Sequence, residues 1–266
     1  MGERADMGER ADVSERELFR NAVRFFTILP VRAAKAEMAP DWLTRCLKYA
    51  PLIGIGVGTA SALVWLVAGG IWGATIAAVL AVAASIALTG ALHEDGFADT
   101  FDGFGGGWTV EKRLAIMKDS RLGTYGALAL GLGVALRIAA LASLSPWAGA
   151  AVLIAAHAAA RAAPAFAMLR LSYSGDVAAM KVPYAQSRPR TDELMLIAVI
   201  TAVAAAPLAA VTVIAIAAGW LCGALAAACL ALWARRLLGG YTGDVLGGIE
   251  QACEIGFLLG AAAVLG

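Results

Sequence analysis

The stretch WGATIAAVLAVAASIALTGALHEDGFADTFDGFGGG, Trp72–Gly107, decides the fold. Residues 72–92 carry no charge, a length of apolar chain sufficient to cross a bilayer, for which ~20 residues are needed. Four carboxylates then fall within nine residues, at Glu94, Asp95, Asp99 and Asp102. A greasy span delivers a dense acidic cluster to its own end. The cluster either is a solvated loop or holds something strongly positive.

Outward from this stretch the chain stays apolar. Of its 266 residues, 61% are hydrophobic and 15% charged, where a soluble domain is nearer a quarter charged. Candidate spans lie at roughly 49–68, 72–92, 126–144, 147–168, 194–214, 217–234 and 249–265. The expected fold is therefore all-α: a polytopic integral membrane helical bundle of about seven transmembrane helices. Tight hairpins are expected near 69–71, at Ser145-Pro146 and near 217–219. An interfacial amphipathic helix is expected before them, because Arg16, Arg20 and Arg24 recur every four residues beside a stripe of Phe19, Val23 and Phe26; a plain helical lead-in to the first span is the alternative. Residues 1–13 contain the duplication MGERADMGERAD and read as a disordered extension without a role in function. Residues 14–266 form one transmembrane catalytic domain.

The positive charges orient the bundle. Nine Lys/Arg precede the first span, and the rest outside the spans fall in the segments 107–125, 170–190 and 235–236, while the hairpin tips carry none. The positive-inside rule places the N-terminus and these loops in the cytoplasm and the C-terminus outside. Every acidic cluster then falls on the cytoplasmic surface. A net charge of +1 gives no global case for nucleic acid. The four cysteines form no C-x-x-C pair and read as small buried residues.

Asp95, Asp99 and Asp102 are spaced i, i+4, i+7 and share one face of a helix. Carboxylates so close repel one another, and a hard divalent cation relieves this. Mg²⁺ is expected, with Mn²⁺ as the other oxygen-preferring choice. Mg²⁺ takes few protein carboxylates and completes its shell with water and phosphate, so the cluster suggests a phosphorylated substrate. His93 beside it is either a general base or an ordinary interfacial histidine. No histidine follows at i+4, which removes the zinc-protease reading. Glu94 points away from the aspartate face and ranks lower as a ligand. In IMKDSRLGTYG, Ile116–Gly126, Lys118 and Arg121 suit phosphate, and Asp119 is a further ligand or a partner for Arg121. In GGYTGDVLG, Gly239–Gly247, Thr242 and Asp244 add a hydroxyl and a carboxylate. Within the spans, Arg137, His157, Arg161 and Glu254 are functional candidates by their cost in a bilayer; Arg161 either neutralises phosphate or pairs with Glu254. Gly54-x-Gly56-x-Gly58 reads as close helix packing.

Three blocks, HEDGFADTFDGF, IMKDSRLGTYGALAL and GGYTGDVLGG, together with FFTILPV and RCLKYAPLIGIGVG, resemble the adenosylcobinamide-GDP ribazoletransferase family, also called cobalamin 5′-phosphate synthases. The resemblance runs over roughly residues 18–265. It implies an Mg²⁺-dependent enzyme of the bacterial inner membrane that joins adenosylcobinamide-GDP to α-ribazole or its 5′-phosphate and releases GMP. Carried onto this chain, it implies catalytic roles for His93, Asp95, Asp99 and Asp102. Asp95, Asp99, Asp102 and Asp244 would hold the metal. Arg45, Lys118, Asp119, Arg121, Arg161, Thr242 and Glu254 would bind substrate and phosphate. The expected partners are the two substrates and membrane lipids; oligomeric state stays open, a homo-oligomer included. Two departures stand out. Glu94 occupies a place more often apolar, and LSYSGDVAAMK after Arg170 lacks the expected Gly-Leu-Gly. The rival readings are a CDP-alcohol phosphotransferase-like enzyme acting on another alcohol, and a transporter.

Overall fold

The computed structural model describes residues 13–32, 41–175 and 187–266. The expected extension up to residue 12 and the centre of the 170–190 loop lie outside the described residues. Among those described, every regular element is helical, and the one strand-like feature is a parallel bridge between Tyr173 and Tyr241.

Twelve α-helices follow one another among the described residues: α1 Glu15–Phe26, α2 Trp42–Cys46, α3 Ala50–Trp72, α4 Ala74–Thr89, α5 Leu92–Gly106, α6 Val110–Met117, α7 Thr124–Ala142, α8 Pro146–Arg170, α9 Thr191–Ala204, α10 Ala206–Ala209, α11 Val213–Leu238 and α12 Gly243–Leu265. Among the described residues, five continuous helical stretches are long and apolar enough to cross a membrane: Trp42–Trp72, Thr124–Ala142, Pro146–Arg170, Val213–Leu238 and Gly243–Leu265. A sixth is reached if α4 and α5 count as one crossing bent by 91°. Seven were expected. The structure differs at residues 72–92, where α4 by itself is too short to cross, and at residues 194–214, where the chain breaks at Ala205 and restarts with Pro207 in the first turn of α10. A proline there lacks the N–H that would continue α9. The hairpin at Ser145-Pro146 stands where expected. The other two turns shift, to Gly73 at φ +81° and to residues 210–212.

Small residues set the packing. A Cβ on Gly58 would lie 2.7 Å from the Leu153 carbonyl oxygen, and one on Gly54 would run into the His157 carbonyl, so α3 and α8 touch backbone to backbone. Between helices in lipid, where apolar burial gives no driving force, such contact and polar pairing hold the bundle together.

The turn that matters for the site joins α4 to α5. Gly90 (φ +64°) and Ala91 (φ +59°) are both left-handed. The glycine adopts this freely; the alanine costs about 1 kcal/mol. Together they end α4 and swing the acidic helix through its 91° bend. The expected N-terminal amphipathic helix is α1, capped by Ser14, whose hydroxyl accepts from the Glu17 N–H. It buries Leu18, Ala22 and Phe26 against the bundle, and its end reaches the site.

Candidate active site

A cavity of about 720 Å³ opens between α1, α2, α5, the end of α6, α8 and the start of α12. Phe25, Phe26, Leu43, Leu47, Met117 and Met168 give it apolar walls, and its polar lining is His93, Asp95, Asp99, Lys118, Asp119, Ser120, Thr242 and Asp244. The three blocks of sequence singled out above therefore meet around one space.

Glycines bring them together. A Cβ on Gly96 would sit 2.8 Å from the Asp244 carbonyl oxygen. Gly247 faces the His93 and Gly96 backbone at 3.5 Å from its own Cβ position. The start of α12 thus lies directly on α5, and Asp244 joins Asp95 and Asp99. The Thr242 hydroxyl caps α12, accepting from the Val245 N–H at 3.3 Å and donating to Asp244 Oδ2 at 3.4 Å. Below, the Tyr241 N–H donates to the Ser172 carbonyl at 2.9 Å and the Ser174 N–H to the Tyr241 carbonyl at 2.8 Å. This short ladder ties the end of α8 to the loop that carries Asp244.

The acidic residues divide. Asp95 is exposed and Asp99 half-buried, and the charges of Asp95, Asp244 and Asp102 all oppose that of Asp99. Asp102 is buried and turned to α7, where its two oxygens accept from the Gly123 N–H (2.7 Å) and the Gly126 N–H (2.8 Å). It caps that helix, satisfying donors that every helix start leaves open, and it is absent from the cavity lining. Among the described residues no group of three or more His, Cys, Asp or Glu side chains converges as a ready metal cage. Mg²⁺ does not need one, since one or two carboxylates with water and phosphate suffice. Asp95, Asp99 and Asp244 are all hard oxygen donors crowded at one wall, and that donor set fits such an ion.

Lys118 is exposed at the cavity edge. Asp119 is the partner of Arg121: Arg121 Nη2 donates to Oδ2 at 2.6 Å and Nε to Oδ1 at 3.0 Å. This guanidinium holds the Asp119 carboxyl down, to about 2. Arg45 donates to the Val13 carbonyl at 3.3 Å, fastening α2 to the start of α1, and does not line the cavity.

Behind the cavity wall lies a buried network. His93 stacks on Phe26, ring centres 6.1 Å apart, with Nδ1 3.7 Å from Glu250 Oε1. Arg161 Nη1 is 3.2 Å from the same oxygen and 3.1 Å from His157 Nδ1, which lies 3.0 Å from Glu254 Oε2. Glu254 Oε1 meets Arg137 at 2.7 Å, and Arg137 also donates to Glu94 at 2.8 Å, Gln251 at 3.1 Å and Ser85 at 3.1 Å. Arg161 and Glu254 thus sit inside the bundle and do not line the cavity; Arg161 pairs with Glu250, and Glu254 pairs with Arg137 and His157. Glu94 is buried and paired with Arg137, as its position off the aspartate face requires. Sequence reasoning missed Glu250, fully buried at the network's junction. The signal was present, because Glu250 lies one turn before Glu254 in an apolar run. It missed Phe25 and Phe26 as cavity walls too, since a surface helix gives no sign of what its end will cover.

Comparison with known proteins gives a consistent result. Residues 18–262 match the family model described as cobalamin-5-phosphate synthase. The chain is 40% identical over 259 residues to the adenosylcobinamide-GDP ribazoletransferase of Leptothrix cholodnii, covering 91% of this chain and 94% of that one. It is 42% identical over 251 residues to the protein of the same name from Azorhizobium caulinodans, covering 90% and 92%. No solved structure matches.

Proposed function

The chain belongs to the cobalamin-5-phosphate synthase family, and on that premise we propose that it is an Mg²⁺-dependent transferase joining adenosylcobinamide-GDP to α-ribazole, or to its 5′-phosphate, with release of GMP. Family membership sets aside the CDP-alcohol and transporter readings. The observation that carries the proposal is the meeting of Asp95, Asp99, Asp244 and Lys118 around one cavity, where apolar walls face a polar, charged floor.

In this reading a ribazole hydroxyl oxygen attacks the phosphorus attached to cobinamide. A new P–O bond forms, the bond to the GMP phosphate oxygen breaks, and the hydroxyl proton passes to His93. Asp95, Asp99 and Asp244 would hold the metal against the diphosphate. Bound Mg²⁺ supplies charge neutralisation to the transferred and leaving phosphates. Lys118 binds a phosphate oxygen as a mobile point charge. Asp102 keeps α7 fastened to α5, and Glu250 with Arg161 orients His93 from behind. Phe25, Phe26, Met117 and Met168 exclude water. The loops rich in Lys and Arg support a cytoplasmic site in the inner membrane.

The test is GMP release by the purified full chain in detergent, supplied with both substrates and Mg²⁺. Asp99→Asn is expected to lower kcat/KM about 100-fold or more while the protein elutes as the parent does. Full Mg²⁺-dependent release by that variant would overturn the metal assignment, and no release by the parent would overturn the reaction.

A further inference from the structure

A second cavity, of about 610 Å³, lies away from the first, bounded by α8, α9, α11 and α12. Its size is that of a small-molecule pocket, yet its walls are mostly apolar, alanine with Phe166, Trp220 and Phe257 above all. It exists because α9 packs on α8 and α11 packs on α12, while α9 and α11 have no extensive contact with each other. Phe166, Trp220 and Leu232 in its lining are exposed, so the groove opens at the side of the bundle along α8 and α11, both long and apolar enough to cross a membrane. Along α11 the groove runs from Trp220 to Arg235, about 22 Å at 1.5 Å per residue. That exceeds the ~15 Å depth of one leaflet of hydrocarbon.

One end is charged. Arg170 and Arg235 both line the groove, and both lie in the last turns of their helices, at the end of the bundle where the Tyr173–Tyr241 bridge joins α8 to the α11–α12 loop. Both are exposed, and neither guanidinium has an ion pair or hydrogen bond among the described residues. An arginine in a last turn also complements the helix dipole, but that role does not require two such guanidiniums to border one apolar groove. Long apolar walls ending in a pair of cations complement one class of molecule, an acyl chain with a phosphate headgroup.

We propose that this groove is a binding site for one anionic phospholipid, its acyl chain against Trp220 and Phe166 and its phosphate between Arg170 and Arg235. Guanidinium groups pair well with phosphate oxygens. The headgroup would then brace the ends of α8 and α11 on which the Asp244 loop is built. The inference stands independently of the reaction proposed above.

Native mass spectrometry of the full chain from detergent tests it, with phosphatidylglycerol or phosphatidylcholine added as the probe. The parent is expected to retain one phosphatidylglycerol with at least a tenfold preference over phosphatidylcholine. The double variant Arg170→Gln, Arg235→Gln is expected to lose most of that preference, each arginine contributing several-fold. Ala228→Trp, which places a ring in the groove, is expected to prevent retention of either lipid. Circular dichroism and elution volume check that both variants fold. Undiminished preference in the double variant, or undiminished retention with Trp at 228, would overturn the proposal. So would a lipid-free dimer that Ala228→Trp dissociates, which would make a second copy of the chain the occupant.

Discussion

Glu250 touches nothing in the cavity, yet its carboxylate stands 3.7 Å from His93 Nδ1 and 3.2 Å from Arg161. Its role is to position His93. Glu250→Gln keeps the shape and replaces one carboxyl oxygen facing His93 and Arg161 with an amide, so kcat is expected to fall about 10-fold, the scale of lost supporting contacts, while KM holds. Glu250→Asp is expected to recover part of the loss. A rise in KM at constant kcat would place Glu250 in substrate binding instead. Asp119 offers a pH-dependent test outside the membrane. Arg121 holds its carboxyl at about 2, below the ordinary carboxylate value near 3.9. A depressed carboxylate contributes above its unfolded pKa and loses that contribution as pH falls through its folded one, here between about 4 and 2. Arg121→Gln is therefore expected to raise the Asp119 midpoint toward 4 in a carboxyl NMR titration. Stability at pH 7 is expected to stay unchanged within error, because the pair is solvent-exposed.

Helices meet where glycine permits it. Gly96 is the contact between α5 and α12, with an added Cβ only 2.8 Å from the Asp244 carbonyl. Gly96→Ala must push the two helices apart, an overpacking cost of about 1–3 kcal/mol, and Asp244 moves with α12. Activity is expected to fall at least tenfold with helical content unchanged; full activity would mean that the α5–α12 distance does not set the site. The spacing of Asp95, Asp99 and Asp102 was legible in the sequence, because helical period alone puts them on one face. Their division was not. The α7 start, with two open N–H groups at Gly123 and Gly126, takes both Asp102 oxygens, and no spacing within one helix announces a cap on another. Residues 72–92 read correctly as apolar and helical, but α4 is too short to cross by itself and reaches crossing length only together with the bent α5; the left-handed turn that aims α5 needs Ala91 as well as Gly90 at positive φ, and an alanine gives no sign of that. The five long spans and the hairpin at Ser145 followed from hydropathy, while the break at Ala205 depended on Pro207 outweighing an apolar run.

Seen as a whole, the bundle is held by apolar contact outside and by charge inside. Arg137 is almost wholly buried and joins α4, α5, α7 and α12 through Ser85, Glu94, Gln251 and Glu254. The sequence announced Arg137, His157, Arg161 and Glu254 as costly intramembrane groups, but it could not say whether they faced substrate or one another. The structure turns them toward one another and toward Glu94 and Glu250: Arg137 meets Glu94 and Glu254, Arg161 meets Glu250, and His157 meets Glu254, all within 2.7–3.2 Å. A buried pair is weak evidence of net stabilisation, but breaking one is costly, since it strands a charge away from water. Arg137→Met leaves the carboxylates of Glu94 and Glu254 without their cation and is expected to destabilise the protein by about 3–5 kcal/mol. The triple variant Arg137→Met, Glu94→Gln, Glu254→Gln removes the stranded charges as well and is expected to recover much of that loss. Thermal unfolding in detergent reads both. A triple variant no more stable than Arg137→Met alone would show that Arg137 acts through its packing between α4 and α12 and that charge pairing does not hold the four helices together.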